Sequence, residues 1–213
     1  MLRAPVRQEI DHRTIKLVVG VIALTLALLT QLFSRDQLTS ISASYWEGGW
    51  SQSIFTGFLF AIAAFLLAYN GMTWTEMALG KIAALAAAGV ALFPCACGTH
   101  TPPVPFIHGT SAAVMFVILA YFSYGFYRRA VAKGHAEARV RAGIYAVCTG
   151  FILVSIVALA IDHFFNEFFS AAIPRFVFYG EACGLVSFGI SWLVASRVLP
   201  LLTREDERFS LFG

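Results

Sequence analysis

The chain has 213 residues, of which 59% are hydrophobic and only 13% are Asp, Glu, Lys or Arg, and its mean hydropathy is +0.75. Soluble domains carry about 25% charged residues, so this composition excludes a soluble globular enzyme and a disordered chain. The net charge of +3 is too small to argue for a nucleic-acid partner, and the positions of the basic residues give them another role.

A bilayer core of about 30 Å needs about 20 apolar residues per helix. Six runs qualify. Ile15–Ser34 is the first, without charge after Lys16. Ser53–Gly71 is the second. Lys81–Pro94 is the third; it is short and rich in Ala and Gly, and is expected to begin near Met77. Phe106–Tyr127 is the fourth. Ala142–Phe165 is the fifth, with Asp162 and His163 near its end. Phe176–Ser196 is the sixth and carries Glu181. The pattern predicts an all-α integral membrane bundle: an N-terminal tail 1–14, a six-helix transmembrane domain 15–196 and a C-terminal tail 197–213. The first run is a full span without a small-residue cleavage site, so it reads as its own insertion signal and not as a cleavable signal peptide.

The basic residues set an expected orientation. Of the fifteen Lys and Arg, only Arg35 and Arg175 fall on one side. The other side takes the N-terminal tail with Arg3, Arg7, Arg13 and Lys16, then Lys81, then the segment from Arg128 to Arg141, then Arg197, Arg204 and Arg208. Both termini are therefore expected in the cytoplasm. Loops 35–52, 95–105 and 166–175 are expected outside. Anionic lipid headgroups are the natural neighbours of the basic side.

Ionisable groups inside a bilayer are functional candidates, because their cost must be offset. Glu181 lies five residues into the sixth span, roughly 8 Å down at 1.5 Å per residue. It needs a partner, and His108 or His163 on neighbouring helices suit it better than Arg175. Asp162 and His163 sit near the outer end of the fifth span. His108 opens the fourth, with Ser111 one turn deeper on the same face. Glu167 and His100 lie in adjoining loops. The cytoplasmic halves of the spans hold no comparable group. These residues predict a pocket at the outer leaflet lined by His108, Ser111, Asp162, His163 and Glu181. The plainer alternative makes Asp162 and His163 interfacial residues and His108 a helix cap. His108, His163 and Asp162 could also form a zinc shell with an open position for water, although their spacing matches no zinc motif.

Four cysteines are present. Cys148 and Cys183 fall within spans and read as small packing residues. Cys95 and Cys97 lie in the loop Phe93-Pro94-Cys95-Ala96-Cys97-Gly98-Thr99-His100. A bond between residues two apart would be strained, which leaves free thiols, an interchain bond or a soft-metal site on Cys95, Cys97 and His100. The spacing is wrong for haem attachment. Pro102-Pro103-Val104-Pro105 makes the rest of the loop stiff. In the first loop, Tyr45, Trp46 and Trp50 suit an interfacial aromatic belt. The other reading folds that loop over the pocket and brings in Ser42 or Tyr45.

Several runs resemble a group of bacterial six-span membrane proteins related in layout to the Frag/DRAM/Sfk family. They are Ile41-Ser42-Ala43 with the glycine turn, Phe55-Thr56-Gly57 through Phe65-Leu66-Leu67-Ala68-Tyr69, Ala91-Leu92-Phe93-Pro94, Ile107-His108 with Ser111-Ala112, and Glu181 with Phe188-Gly189-Ile190-Ser191-Trp192. The resemblance spans residues 38 to 195, and the Cys95–His100 stretch departs from it. It implies six helices in a bacterial inner membrane and no established reaction. A weaker likeness is to the CREST membrane hydrolases, which cleave lipid amides with Ser, Asp and His residues around zinc. His108, Ser111, Asp162 and His163 would take those parts, but the paired histidines of that family's last helix are missing.

Two functions from different classes follow. The first is a protein that binds a lipid headgroup or a membrane partner, a second subunit or another copy of itself, at the outer pocket. The small residues Gly80, Ala84, Ala87, Ala88 and Ala91 favour close helix packing. The second is a zinc-dependent hydrolase of lipid amides or esters, with Glu181, Asp162 or Ser111 as catalytic candidates. A proton-coupled carrier fits poorly, because polar groups are missing from the midplane.

Overall fold

In the computed structural model, residues 12–165 and 167–207 are described. The basic residues Arg3, Arg7 and Arg208 of the two tails lie outside that range. The helices are α1 (His12–Leu32), the single turn α2 (Ser44–Glu47), α3 (Gly49–Ala68), α4 (Trp74–Leu92), α5 (Ile107–Lys133), α6 (Ala136–Phe164) and α7 (Phe176–Ala195). All but α2 are long and apolar enough to cross a membrane. Short 3₁₀ turns at Pro200–Leu202 and Glu205–Glu207 follow α7. Each long helix packs on the next in chain order, and α7 closes the ring on α1. The interhelix contacts place His12, Tyr69, Arg129 and Trp192 at one end of the ring, here the terminal end. Segments 33–48, 93–106 and 167–175 cap the far end.

Two boundaries differ from the hydropathy reading. The basic stretch from Arg128 to Arg141, expected as a loop, is helix on both sides of Gly134 and His135. Arg, Lys and Ala are good helix formers, and long basic side chains reach past the apolar zone. Gly134 ends α5 at φ +72°, a left-handed stop that glycine takes without a Cβ penalty. His135 then caps α6 by accepting the Ala138 N–H at 3.2 Å. α4 begins three residues before Met77, because the Thr73 hydroxyl accepts the Glu76 N–H at 3.1 Å.

Packing follows side-chain size. A Cβ on Gly189 of α7 would stand 2.9 Å from the Gly20 carbonyl oxygen of α1, so the two backbones approach closely there, with the Leu24 side chain alongside. On α4, Ala83, Ala84, Ala87 and Ala91 are buried while Leu85 and Leu92 are exposed. The small-residue face is therefore spent within the bundle. Leu28, Leu67, Val117 and Val154 are more than half exposed and form the lipid-facing surface.

Candidate functional sites at the two ends of the bundle

At the far end, each predicted residue has its own partner. The Glu181 carboxylate accepts the Ile41 N–H at 2.5 Å, the Ser42 hydroxyl at 2.9 Å and, more loosely, the Ser42 N–H at 3.4 Å. Its partners are thus the first loop, not His108 or His163. Ser42 is the loop residue that reaches it; Tyr45 packs edge-on against Trp46 at 5.7 Å. Arg175 clamps the same loop from outside, donating to the Leu38 carbonyl at 2.8 Å and to the Gln31 side chain. Asp162, 4% exposed, accepts the N–H groups of Phe169 and Ser170 at 2.8 Å each and the Ser170 hydroxyl at 2.5 Å. It orders the last loop. His108 Nδ1 pairs with the Phe93 carbonyl at 2.7 Å, which ties the end of α4 to the start of α5. Ser111 sits against Gly89, where an added Cβ would lie 2.5 Å from its hydroxyl oxygen. His163 stacks edge-on against Phe164.

Glu181, Asp162 and His108 therefore fasten loops and helix ends to the bundle, while Ser111, His163 and Tyr45 pack on their neighbours. The hollow at this end, about 170 Å³, is lined by Phe33, Arg35, Glu47, Gly48, Gly49 and Trp50, and by none of them. Among the described residues no three His, Cys, Asp or Glu groups come together to hold a metal ion, so the set His108, His163 and Asp162 is not assembled. The thiol set is not assembled either: Cys95 and Cys97 are joined to each other in a disulfide. Trp46 Nε1 donates to the Cys95 carbonyl at 2.9 Å, and its ring stacks on His100 at 4.6 Å.

The terminal end corrects the expectation that this half of the spans lacks ionisable groups. Glu76 on α4 is 4% exposed and forms an ion pair with Arg129 on α5. Its second oxygen accepts the Met72 N–H at 2.8 Å. The Lys16 ammonium of α1 lies 5.8 Å from the Tyr69 ring centre and 5.2 Å from that of Phe126. It makes no hydrogen bond to an acceptor oxygen among the described residues. Trp192, fully buried, adjoins the same rings, 5.3 Å from Tyr69 and 6.0 Å from Phe126. Trp192 Nε1, Tyr69 Oη, Ser123 Oγ and Ser191 Oγ are all buried without a hydrogen-bond partner. Lys16 and Arg129 together against Glu76 leave this cluster with one positive charge.

The chain after α7 folds back onto the same end. Glu207 pairs with Lys133, with Arg141 at 3.0 Å, with Arg197 at 3.4 Å and with His135 at 3.6 Å. The Arg141 side chain is 0% exposed and also donates to the Leu202 carbonyl. Burial pushes the Glu207 carboxyl up, but the hydrogen bond from Lys133 and the charges of Arg197, Lys133 and Arg141 outweigh it and hold it at about 2. Sequence reasoning missed this latch because the tail reads as polar and free. It missed Glu76 because the third span was started too late. The pattern Thr73-Trp74-Thr75-Glu76 is a helix-start signature and would have placed Glu76 inside.

Compared with known proteins, the chain matches no protein family, no curated protein and no solved structure.

Proposed function

We propose that the chain is a bacterial inner-membrane protein with both termini in the cytoplasm, and that it binds an anionic phosphate group at the terminal end of its bundle. The observation that carries this reading is the surplus of donors around Lys16. An ammonium and an indole N–H can only donate. The Trp192 indole N–H is buried without an acceptor and the Lys16 ammonium has no hydrogen-bonded oxygen among the described residues, so an anionic acceptor would serve both. Buried polar groups left without a partner cost free energy, more so where lipid excludes water. The anionic oxygens of a phosphate accept hydrogen bonds and would offset both the donors and the excess positive charge. The side expected to carry the basic residues also faces the anionic lipid surface. In this reading the far-end residues Glu181, Asp162 and His108 build a cap and take no part in catalysis.

The test is thermal unfolding of the protein in nanodiscs of phosphatidylcholine, with and without phosphatidylglycerol, and in detergent with inorganic phosphate. Stabilisation by several degrees with the anionic lipid, lost in Lys16→Met, supports a lipid headgroup. Stabilisation by inorganic phosphate alone supports a free anion. No response to either, with wild type and Lys16→Met alike, overturns the reading.

A further inference from the structure

The Cys95–Cys97 disulfide makes a poor staple, and its surroundings are those of a reactive site. It encloses a single residue, Ala96, and joins no two elements. Loop-closure stabilisation grows with the length of chain enclosed, so this bond withdraws little freedom from the unfolded chain. The two sulfurs also differ. Cys95 is 6% exposed, whereas Cys97 is half-buried. Cys97 Sγ lies 3.5 Å from the Ser40 hydroxyl of the first loop. That hydroxyl oxygen already accepts the Ala43 N–H at 2.9 Å, which leaves its own hydrogen for the sulfur. A donor at this point favours a thiolate on Cys97 over a thiol.

We infer that Cys95–Cys97 is an exchangeable disulfide that oxidises a dithiol, with Cys97 as the sulfur that engages the substrate and Ser40 as its positioning residue. One thiolate of the dithiol attacks the more accessible Cys97 Sγ. The S–S bond breaks, and Cys95 leaves with the electron pair and takes up a proton. The second thiol of the dithiol, deprotonated, then attacks its own partner sulfur in the mixed disulfide. Cys97 leaves as a thiolate held by the Ser40 hydrogen. The substrate ends as a disulfide and the protein as a Cys95 thiol and a Cys97 thiolate; two electrons pass to the protein, one proton to Cys95 and the other to solvent. Trp46 reports the change, because it binds the Cys95 carbonyl and stacks on His100. This site is separate from the phosphate site at the other end, and neither reading depends on the other.

The experiment titrates the folded protein in nanodiscs with dithiothreitol and, separately, with reduced thioredoxin. Alkylated cysteines are identified by peptide mass, and Trp46→Phe serves as the fluorescence control. The expected result is reversible reduction of Cys95 and Cys97 with a Trp46 fluorescence change and an unchanged melting temperature. Reaction with both reagents marks a protein-sized dithiol as substrate, and reaction with dithiothreitol alone a small one. A bond that yields only as the protein unfolds, or whose loss unfolds it, overturns the inference. In the reduced protein, Ser40→Ala should raise the pH midpoint of Cys97 alkylation. Each pH unit by which that midpoint rises should slow the reaction at neutral pH by up to about tenfold. Ser40→Thr should restore it. An alkylation profile identical in wild type and Ser40→Ala overturns the role of Ser40.

Discussion

The Glu181 carboxylate of α7 and the Ile41 backbone N–H meet at 2.5 Å across 140 residues of chain. Ser42 adds two further donors to the same carboxylate. An acceptor so used fixes the first loop on the bundle. Glu181→Ala strands all three donors and should cost about 2–4 kcal/mol. Glu181→Gln keeps one acceptor oxygen and should cost about half that. Thermal unfolding gives the totals, and hydrogen exchange over residues 38–46 should speed up in both variants. Unchanged exchange in Glu181→Ala would show that Arg175 alone holds the loop.

Glu207 gives a pH dependence with a definite sign. Its folded-state carboxyl sits at about 2, below the ordinary 4.5. A depressed acid stabilises the folded state above its unfolded value and loses that stabilisation as pH falls through the folded one. The tail 199–207 should therefore stay docked at neutral pH and detach between roughly pH 4.5 and 2. Glu207→Gln should release it at pH 7 and cost about 2 kcal/mol, because Arg141 is left buried without its carboxylate. Trypsin cleavage after Arg204 reads the variant at pH 7, and hydrogen exchange over residues 199–207 reads the release in acid. Equal protection of wild type and Glu207→Gln at pH 7 would refute the latch.

Helix contacts supply a paired test. Gly189→Ala places a Cβ 2.9 Å from backbone atoms of both Gly20 and Leu24, so α1 and α7 must separate. Such overpacking costs about 1–3 kcal/mol. At Gly150 on α6 a Cβ meets nothing within 4 Å. Gly150→Ala should therefore be neutral or stabilise by up to about 1 kcal/mol through helix propensity. Melting temperatures of the two variants should move in opposite directions.

The six spans were legible because hydrocarbon thickness imposes a length and an apolar composition that hydropathy reads directly. Glu181, Asp162 and His108 stood out in sequence because polar groups among apolar ones must be offset. Their partners did not, since backbone amides from the first loop and from Phe169 and Ser170 leave no compositional trace. The terminal-end cluster was hidden for another reason. Lys16, Glu76 and Arg129 each lie within about two turns of a helix end, where a charge reads as a flank. Only the packing of α1, α4 and α5 turns those flanks into one interior cluster. Cys95 and Cys97 were visible, but spacing alone argued against their bonding to each other.

The Glu76–Arg129 pair decides whether the terminal-end cluster is a single electrostatic unit. Glu76 has 5% of its side chain exposed and Arg129 34%, so the carboxylate carries most of the burial cost. Arg129→Met removes its closest cation and leaves Lys16, which is near the shared Phe126 ring, as the remaining positive group. Removing one member of a buried pair typically costs about 3–5 kcal/mol, while replacing both by apolar groups of similar volume is often neutral. The partial exposure of Arg129 and the presence of Lys16 reduce the first figure to about 2 kcal/mol. The double variant Glu76→Met/Arg129→Met should recover most of that loss in thermal unfolding. Adding Lys16→Met to the double variant should recover more, because a half-buried charge without a hydrogen-bonded partner among the described residues goes with it. A double variant as unstable as Arg129→Met would mean that the Glu76 bond to the Met72 N–H, which closes the turn between α3 and α4, matters more than the ion pair.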